Sequence, residues 1–187
     1  MPNFYLDIET TGIDPQKDKI ITIQYMELNG STAKPAGDLH ILKEWESSEK
    51  KIIQTLIEES EITDSNEFSF VPVGFNLMFE HNFFIEKCRK HGLHVIDILG
   101  RPFIDLKPCA VIMNNGRFKG SGLDRLTGKP HDGSTVPVWY SERRYAEIEK
   151  YVMAEAEEFV RFCAWLYKEL PALLGKYKQT IKAGSKS

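Results

Sequence analysis

The sequence lacks the features that define several classes of protein. It contains no apolar run near the ~18 residues that a membrane-spanning helix needs, and we expect no secretory signal at its start. Its three cysteines, Cys88, Cys109 and Cys163, are scattered without a metal-type pairing, which is typical of a reducing compartment. The net charge is only −3, too little positive charge to bind nucleic acid by bulk electrostatics. We therefore expect a cytoplasmic protein with local contacts to any nucleic acid.

The composition is that of a folded domain. Hydrophobic residues make up 42% of the 187 residues, and charged residues 27%, which excludes intrinsic disorder as the main state. We expect one domain over residues 1–170, followed by a tail over residues 171–187. That tail is basic, because it contains four lysines and no acid. The lysines are Lys176, Lys178, Lys182 and Lys186.

The order of β-prone and helical segments predicts an α/β fold. Three strands come first, at residues 4–8, 20–28 and about 39–42. Two further strands alternate with helices, at residues 70–75 and 102–106. The main helical segments are residues 47–59, 77–91, 107–113 and 142–170, and we expect Pro171 to end the last of these and residues 129–140 to form a loop. This order predicts a mixed five-stranded sheet, with three antiparallel strands and then two parallel ones, flanked by helices.

Two acids interrupt the first apolar strand. Asp7 and Glu9 are two positions apart, so both carboxylates project from the same face of the strand. Like charges held this close are costly unless a cation lies between them. The turn residues Thr10, Thr11 and Gly12 follow directly, which places the pair at the carboxyl end of the strand, where α/β sheets commonly carry their sites.

Two helices offer further acids. Glu80 falls in the first turn of the helix that follows the fourth strand, where a carboxylate is electrostatically tolerated. Tyr151 and Glu155 are four residues apart on the last helix, beside an apolar stripe. The spacing also fits Tyr145 with Glu149, and Glu149 or Glu157 could take the place of Glu155.

The combined set predicts a site for hard cations. Its four carboxylates and one phenol offer only oxygen ligands, which suit Mg²⁺ or Mn²⁺ and not zinc. Two such ions a few ångströms apart would serve an in-line displacement at phosphorus. Asp105, at the end of the fifth strand, is expected to support a helix start and not to bind metal.

These segments resemble the motifs of the 3′–5′ exonuclease superfamily of the DEDD type, tyrosine subclass. Residues 7–12, Asp-Ile-Glu-Thr-Thr-Gly, are similar to the first motif; residues 76–83 and 151–155 are similar to the second and third. Residues 100–106 and 123–126 also resemble the proofreading domains of family B DNA polymerases. The resemblance covers residues 3–168 and implies a ribonuclease H-like fold, so that residues 1–170 would form an exonuclease-like domain.

The resemblance also implies a mechanism. Asp7, Glu9, Glu80 and Glu155 would hold two divalent cations, Mg²⁺ or Mn²⁺, and Tyr151 would orient the attacking water. The enzyme would hydrolyse the phosphodiester at the 3′ end of single-stranded nucleic acid, DNA ahead of RNA, and release nucleoside 5′-monophosphates. The substrate would be bound by four residues of the cleft: Thr10, Ile13, Asn76 and Phe79. A polymerase or a repair protein would be a fitting partner.

The sequence departs from the family pattern at two positions. Glu80 and Glu155 stand where the family has Asp, and the extra methylene changes the reach of each ligand. Because Mg²⁺ demands tight octahedral geometry, this change would favour Mn²⁺ or weaken the site. One alternative is a catalytically weak or inactive exonuclease-like module that binds nucleic-acid ends or a partner protein. Another is a different phosphodiesterase of the same fold that acts on short oligonucleotides or structured RNA. A histidine version of the third motif, at His131, would require an acid where Val136 stands.

Overall fold

A computed structural model describes residues 2–127 and 133–184, with side chains as far as residue 180. His131 lies outside the described residues. Within these residues five strands form one sheet: β1 Asn3–Thr10, β2 Ile20–Leu28, β3 His40–Lys43, β4 Val71–Gly74 and β5 Ile104–Asp105. Their order across the sheet is β3-β2-β1-β4-β5.

The strand directions confirm the predicted mixed sheet. β2 pairs antiparallel with both β1 and β3, whereas β4 pairs parallel with both β1 and β5. β1 is therefore the central strand, and its carboxyl end lies beside the carboxyl end of β4. Any side chains that follow these two strands are brought together at one edge of the sheet.

Three helices match the expected segments, namely α1 Glu49–Ser60, α2 Met78–His91 and α3 Lys107–Met113. Local signals mark two of their ends. Ser48 caps α1, because its hydroxyl accepts a hydrogen bond from the Lys51 amide at 3.2 Å. Gly92 ends α2 in the left-handed conformation at φ 63°, which glycine adopts without steric cost. Further helices are α4 Leu123–Thr127, α5 Val136–Ser141 and α6 Tyr145–Gly184.

The sheet is covered on both faces. Leu6 and Ile8 of β1 pack with α1 and α2 in one cluster of buried side chains. Tyr5, which alternates with them, belongs to a second cluster built on α6. Since side chains alternate along a strand, Asp7 and Glu9 share the face of Tyr5 and point towards α6.

Two expectations about the helices were wrong. α6 does not stop before Pro171 but continues to Gly184. A proline removes one backbone hydrogen bond at a local cost of about 3 kcal/mol, and the strong helix formers around it sustain the helix. The expected loop at residues 129–140 contains α5, which begins with Pro137 in its first turn, where the missing amide proton costs nothing. The division into a domain at 1–170 and a tail at 171–187 stays a prediction.

The described helices include none suited to a bilayer. Even α6, the longest, is too polar to cross a membrane, and the same holds for the others in the described ranges.

Candidate active site

Three carboxylates converge at the carboxyl end of β1. One ligand oxygen from each of Asp7, Glu9 and Glu155 can be chosen so that all three lie within 4.8 Å of one another. Asp7 and Glu9 come from β1, whereas Glu155 comes from α6, which packs on the same face of the sheet. The ring of Phe159 lies 4.8 Å from the ring of Tyr5, and this contact fixes α6 against the strand that carries the acids.

Glu80 enters the same cleft from α2. Its side chain is only 3% exposed, and its Oε2 atom has no hydrogen-bond partner within the described residues. Burial raises the pKa of Glu80 well above its ordinary value, and the charges of Asp7, Asp105 and Glu155 raise it further. Glu80 is not part of the 4.8 Å group. A buried, unpartnered carboxyl oxygen that faces further acids is stabilised by a bound cation.

Tyr151 lies beside the carboxylates as a neutral phenol. It is 7% exposed, and burial raises its pKa well above the ordinary value. The charges of Glu155 and Glu9 act in the same direction, as does a hydrogen bond to Glu155. The hydroxyl therefore keeps its proton at neutral pH.

The alternative register of the tyrosine motif lies elsewhere on α6. The ring of Tyr145 stacks on that of Trp45 at 4.6 Å, and Glu149 pairs with Lys43 at 3.1 Å. Glu157 is exposed and does not line the cleft. Of the acids considered on this helix, Glu155 is the one that lines the cleft.

The expected substrate-binding residues line the same cleft, which has a volume of about 450 Å³. These residues are Thr10, Ile13, Asn76 and Phe79. Ile13 is 87% exposed on the rim, an unusual environment for a large apolar side chain and one that suits contact with a base. The ring of Phe79 packs against that of Phe83 at 4.9 Å and forms part of the apolar wall.

Asp105 supports the start of α2, as the sequence predicted. Its carboxylate accepts hydrogen bonds from the backbone amides of Asn76 at 2.8 Å and Leu77 at 3.1 Å. It also accepts one from the amide of Lys107 at 2.9 Å. Asn76 has a φ of 74°, a left-handed conformation that Asn tolerates better than most residues. Asp105 thus fixes the turn that delivers Glu80 to the cleft.

Two residues near the carboxylates escaped the sequence interpretation. The hydroxyl of Tyr5 donates a hydrogen bond to Oδ2 of Asp7 at 3.3 Å. Its position two residues before Asp7 on one strand face was the available signal. Lys107 also lines the cleft, and its place two residues after the end of the short strand β5 could have indicated this.

The donor set fits a divalent cation. Carboxylate oxygens from three separate elements meet in one cleft, and the buried oxygen of Glu80 lacks a partner within the described ranges. Mg²⁺ and Mn²⁺ take such oxygen ligands. The residues that would hold them are Asp7, Glu9, Glu80 and Glu155.

Comparison with solved structures shows the same fold in exonuclease I. The zinc-bound complex of Escherichia coli exonuclease I with single-stranded DNA matches at 12% identity and a TM-score of 0.64, covering 94% of this chain and 42% of that chain. The E. coli complex with a dT13 oligonucleotide matches at 13% identity and 0.62, over 94% and 43%. A complex of exonuclease I with the SSB C-terminus matches at 11% and 0.59, over 94% and 43%. This chain thus spans less than half the length of these proteins.

Sequence comparison reaches the superfamily level. No curated protein matches the chain significantly by sequence. A family model of the RNase H superfamily matches residues 4–161, a range that contains all of the sheet except Asn3 and every proposed metal ligand. The chain therefore belongs to the RNase H superfamily.

Proposed function

We propose that the protein is a metal-dependent 3′–5′ exonuclease that degrades single-stranded nucleic acid, with DNA favoured over RNA. The observation that carries this proposal is the convergence of Asp7, Glu9 and Glu155 oxygens within 4.8 Å, in a cleft that also contains the buried Glu80 carboxyl. So many acids in one cleft repel one another and repel phosphate. The arrangement becomes favourable when cations are bound there.

The reaction is hydrolysis of the last phosphodiester. The oxygen of water attacks phosphorus, the bond from phosphorus to the 3′ oxygen breaks, and a nucleoside 5′-monophosphate leaves a shortened strand with a new 3′ hydroxyl. Two Mg²⁺ or Mn²⁺ ions held by the carboxylates would supply charge neutralisation and a more acidic water.

The protein's own residues position the reactants. Tyr151, a protonated phenol beside Glu155, orients the attacking water. Thr10 and Asn76 line the cleft at the ends of β1 and β4, where the terminal nucleotide would lie. The exposed Ile13 packs against the terminal base, and Phe79 forms the apolar wall. Such positioning accounts for much of the catalysis of phosphoryl transfer.

The solved structures support the choice of substrate and partner. Exonuclease I is described in complexes with single-stranded DNA and with the SSB C-terminus. A single-stranded 3′ end is therefore the substrate we propose for this chain, with a polymerase or a repair protein as partner. The absence of a strong net positive charge agrees with local binding of one strand end.

The test is a degradation assay on a 5′-labelled single strand, run as DNA and as RNA, with Mg²⁺ and with Mn²⁺. We expect a ladder of products that shortens from the 3′ end, and no shortening by the variant Asp7→Ala. The variant Glu157→Gln, which alters an exposed acid outside the cleft, should cleave like the wild type.

The alternative is a binding module without catalysis. The presence of Glu at positions 80 and 155 favours it, because the longer side chains alter the ligand geometry that Mg²⁺ requires. Binding of the strand without shortening under either metal would support the module and contradict the enzyme.

A further inference from the structure

The residues that line the cleft carry a net negative charge. Its described lining contains five acids, Asp7, Glu9, Glu80, Asp124 and Glu155. Among those same lining residues, Lys107 is the single cation. Two divalent cations would offset the acids around the bond to be broken. The next phosphate along the strand would still require a positive partner.

Lys107 is held in place by three contacts. Its backbone amide donates to Oδ1 of Asp105 at 2.9 Å, which fixes its backbone at the end of β5. Its Nζ atom donates to the backbone carbonyl of Ser121 at 3.1 Å. The same atom lies 5.1 Å from the centre of the Phe75 ring. These contacts restrain a side chain that otherwise loses much conformational entropy when it binds a ligand.

The contacts also leave the ammonium group able to bind an anion. An ammonium carries three N–H donors, and the contacts within the described residues use one of them, on Ser121. The side chain is only partly exposed, and both Phe75 and Gly122 beside it line the cleft. A phosphate is the acceptor that a single-stranded substrate would bring to this wall.

We propose that Lys107 binds an internal phosphate of the substrate strand, beyond the bond that is cleaved. The choice of a nucleic-acid strand as ligand rests on the proposed function. Lys107 then determines how firmly the strand is held, while the carboxylates and Tyr151 act on the terminal phosphodiester.

The experiment measures strand binding as a function of salt. A fluorescent dT oligonucleotide is titrated with protein in a buffer that contains Ca²⁺ as its divalent cation. A gel checks that the oligonucleotide stays intact, and fluorescence anisotropy gives Kd at several salt concentrations. The variants are Lys107→Met and Lys107→Arg, with Lys50→Met as the control. Lys50 is an exposed lysine of α1 that does not line the cleft. Thermal unfolding checks that each variant is folded, and Lys107→Gln replaces Lys107→Met if that variant is not.

Loss of one phosphate contact has a defined signature. We expect Lys107→Met to raise Kd roughly tenfold at low salt. We also expect the plot of the logarithm of the association constant against the logarithm of the salt concentration to become shallower, with its slope changing by about 0.7. Lys107→Arg should keep the slope, and Lys50→Met should match the wild type. If Lys107 only supports the Ser121 segment, Lys107→Met lowers the melting temperature but leaves the salt slope unchanged, which would overturn the proposal.

The outcome separates this inference from the proposed function. A wild type that binds the strand but never shortens it with Mg²⁺ or Mn²⁺ contradicts the exonuclease, while the slope still decides the role of Lys107. A wild type that shortens the strand, with an unchanged slope for Lys107→Met, contradicts the Lys107 proposal alone. A wild type that binds no strand contradicts both.

Discussion

At the scale of single residues, the candidate site consists of charges that destabilise the metal-free protein. Glu80 is nearly inaccessible to solvent and faces Asp7, Asp105 and Glu155. Burial of a carboxyl group without a compensating partner is unfavourable. Acids are commonly clustered in sites that bind cations. Their mutual repulsion lowers the stability of the metal-free protein but serves metal binding.

Glu80→Gln should raise the melting temperature of the protein in EDTA and remove most of the stabilisation by Mn²⁺. The pKa of Glu80 in the folded state lies above the reference 4.5, so above pH 4.5 the folded state binds more protons than the unfolded state. The stability of the wild type in EDTA therefore falls as pH rises from 4.5 towards the raised pKa. Differential scanning fluorimetry across pH should show a flatter dependence for Glu80→Gln. A variant that is less stable than the wild type in EDTA at neutral pH would contradict this.

Tyr5→Phe tests whether the phenol positions a metal ligand. The variant keeps the ring that packs on Phe159 but loses the hydrogen bond to Asp7. Loss of a hydrogen bond to a metal ligand typically costs about 10- to 100-fold in metal affinity or activity. We expect the Mn²⁺ concentration for half-maximal cleavage to rise by about tenfold or more, with a small change in melting temperature. An unchanged Mn²⁺ requirement would assign Tyr5 to packing alone.

At the scale of elements, the site depends on the ends of strands and the starts of helices. The turn from β4 into α2 leaves no room for a side chain at position 74, because a Cβ on Gly74 would lie 2.5 Å from Cδ2 of Leu77. Asp105 completes this turn by accepting the amides of Asn76 and Leu77. Glu80 therefore depends on a strand 25 residues further along the chain, which pairs beside β4.

Asp105→Ala should weaken both the fold and the proposed activity. The substitution leaves three backbone amides without their carboxylate acceptor, a loss worth about 1–3 kcal/mol for a buried donor and less here, where water reaches part of the turn. Urea unfolding should show this loss, and cleavage by the folded variant should fall because Glu80 is displaced. Asp38→Ala, at an exposed position outside the cleft, is the control. Full cleavage by Asp105→Ala would contradict the positioning role.

The strands and helices were largely predictable from the sequence. Which of their side chains form the candidate site was harder to predict. Apolar periodicity indicated the strands and helices, and Asp7 and Glu9 stood out because acids are rare in an apolar strand. The spacing of Tyr151 and Glu155 recurs at Tyr145 and Glu149. In the structure, Tyr145 and Glu149 contact Trp45 and Lys43 instead. These partners lie about a hundred residues away in the chain, and the local sequence does not reveal such contacts.

The helix after Pro171 could not be predicted from the proline rule alone. The rule concerns one lost hydrogen bond and one steric clash, whereas a long helix sums the propensities of many residues. Lys107 was missed although its place just after β5 was an available signal. The contact of its Nζ atom with the Ser121 carbonyl, fourteen residues further along the chain, is not visible in the local sequence.

At the scale of the whole molecule, the site is assembled from both ends of the chain. β1 supplies Asp7 and Glu9, and α6 supplies Glu155 only after it has packed across the sheet. The proposed ligands therefore converge only in the folded state. A cation that binds this convergent site must stabilise the fold by mass action.

Mn²⁺ should accordingly raise the melting temperature in a concentration-dependent manner. One ion at a hundred times its Kd stabilises the folded state by about 2.7 kcal/mol, which corresponds to roughly 5–10 °C for a protein of this size. Scanning calorimetry with increasing Mn²⁺ should show this shift for the wild type and for Glu157→Gln. Asp7→Asn should lose it, and an equal shift in that variant would place the metal elsewhere.

The central claim is that Asp7, Glu9, Glu80 and Glu155 together hold a pair of divalent cations. Isothermal titration calorimetry of the EDTA-treated protein with Mn²⁺ tests it most directly, with Asp7→Asn and Glu157→Gln measured alongside the wild type. We predict saturable binding of two ions per chain in the wild type and in Glu157→Gln, and loss of at least one of them in Asp7→Asn. Identical titrations of the wild type and Asp7→Asn would contradict the account.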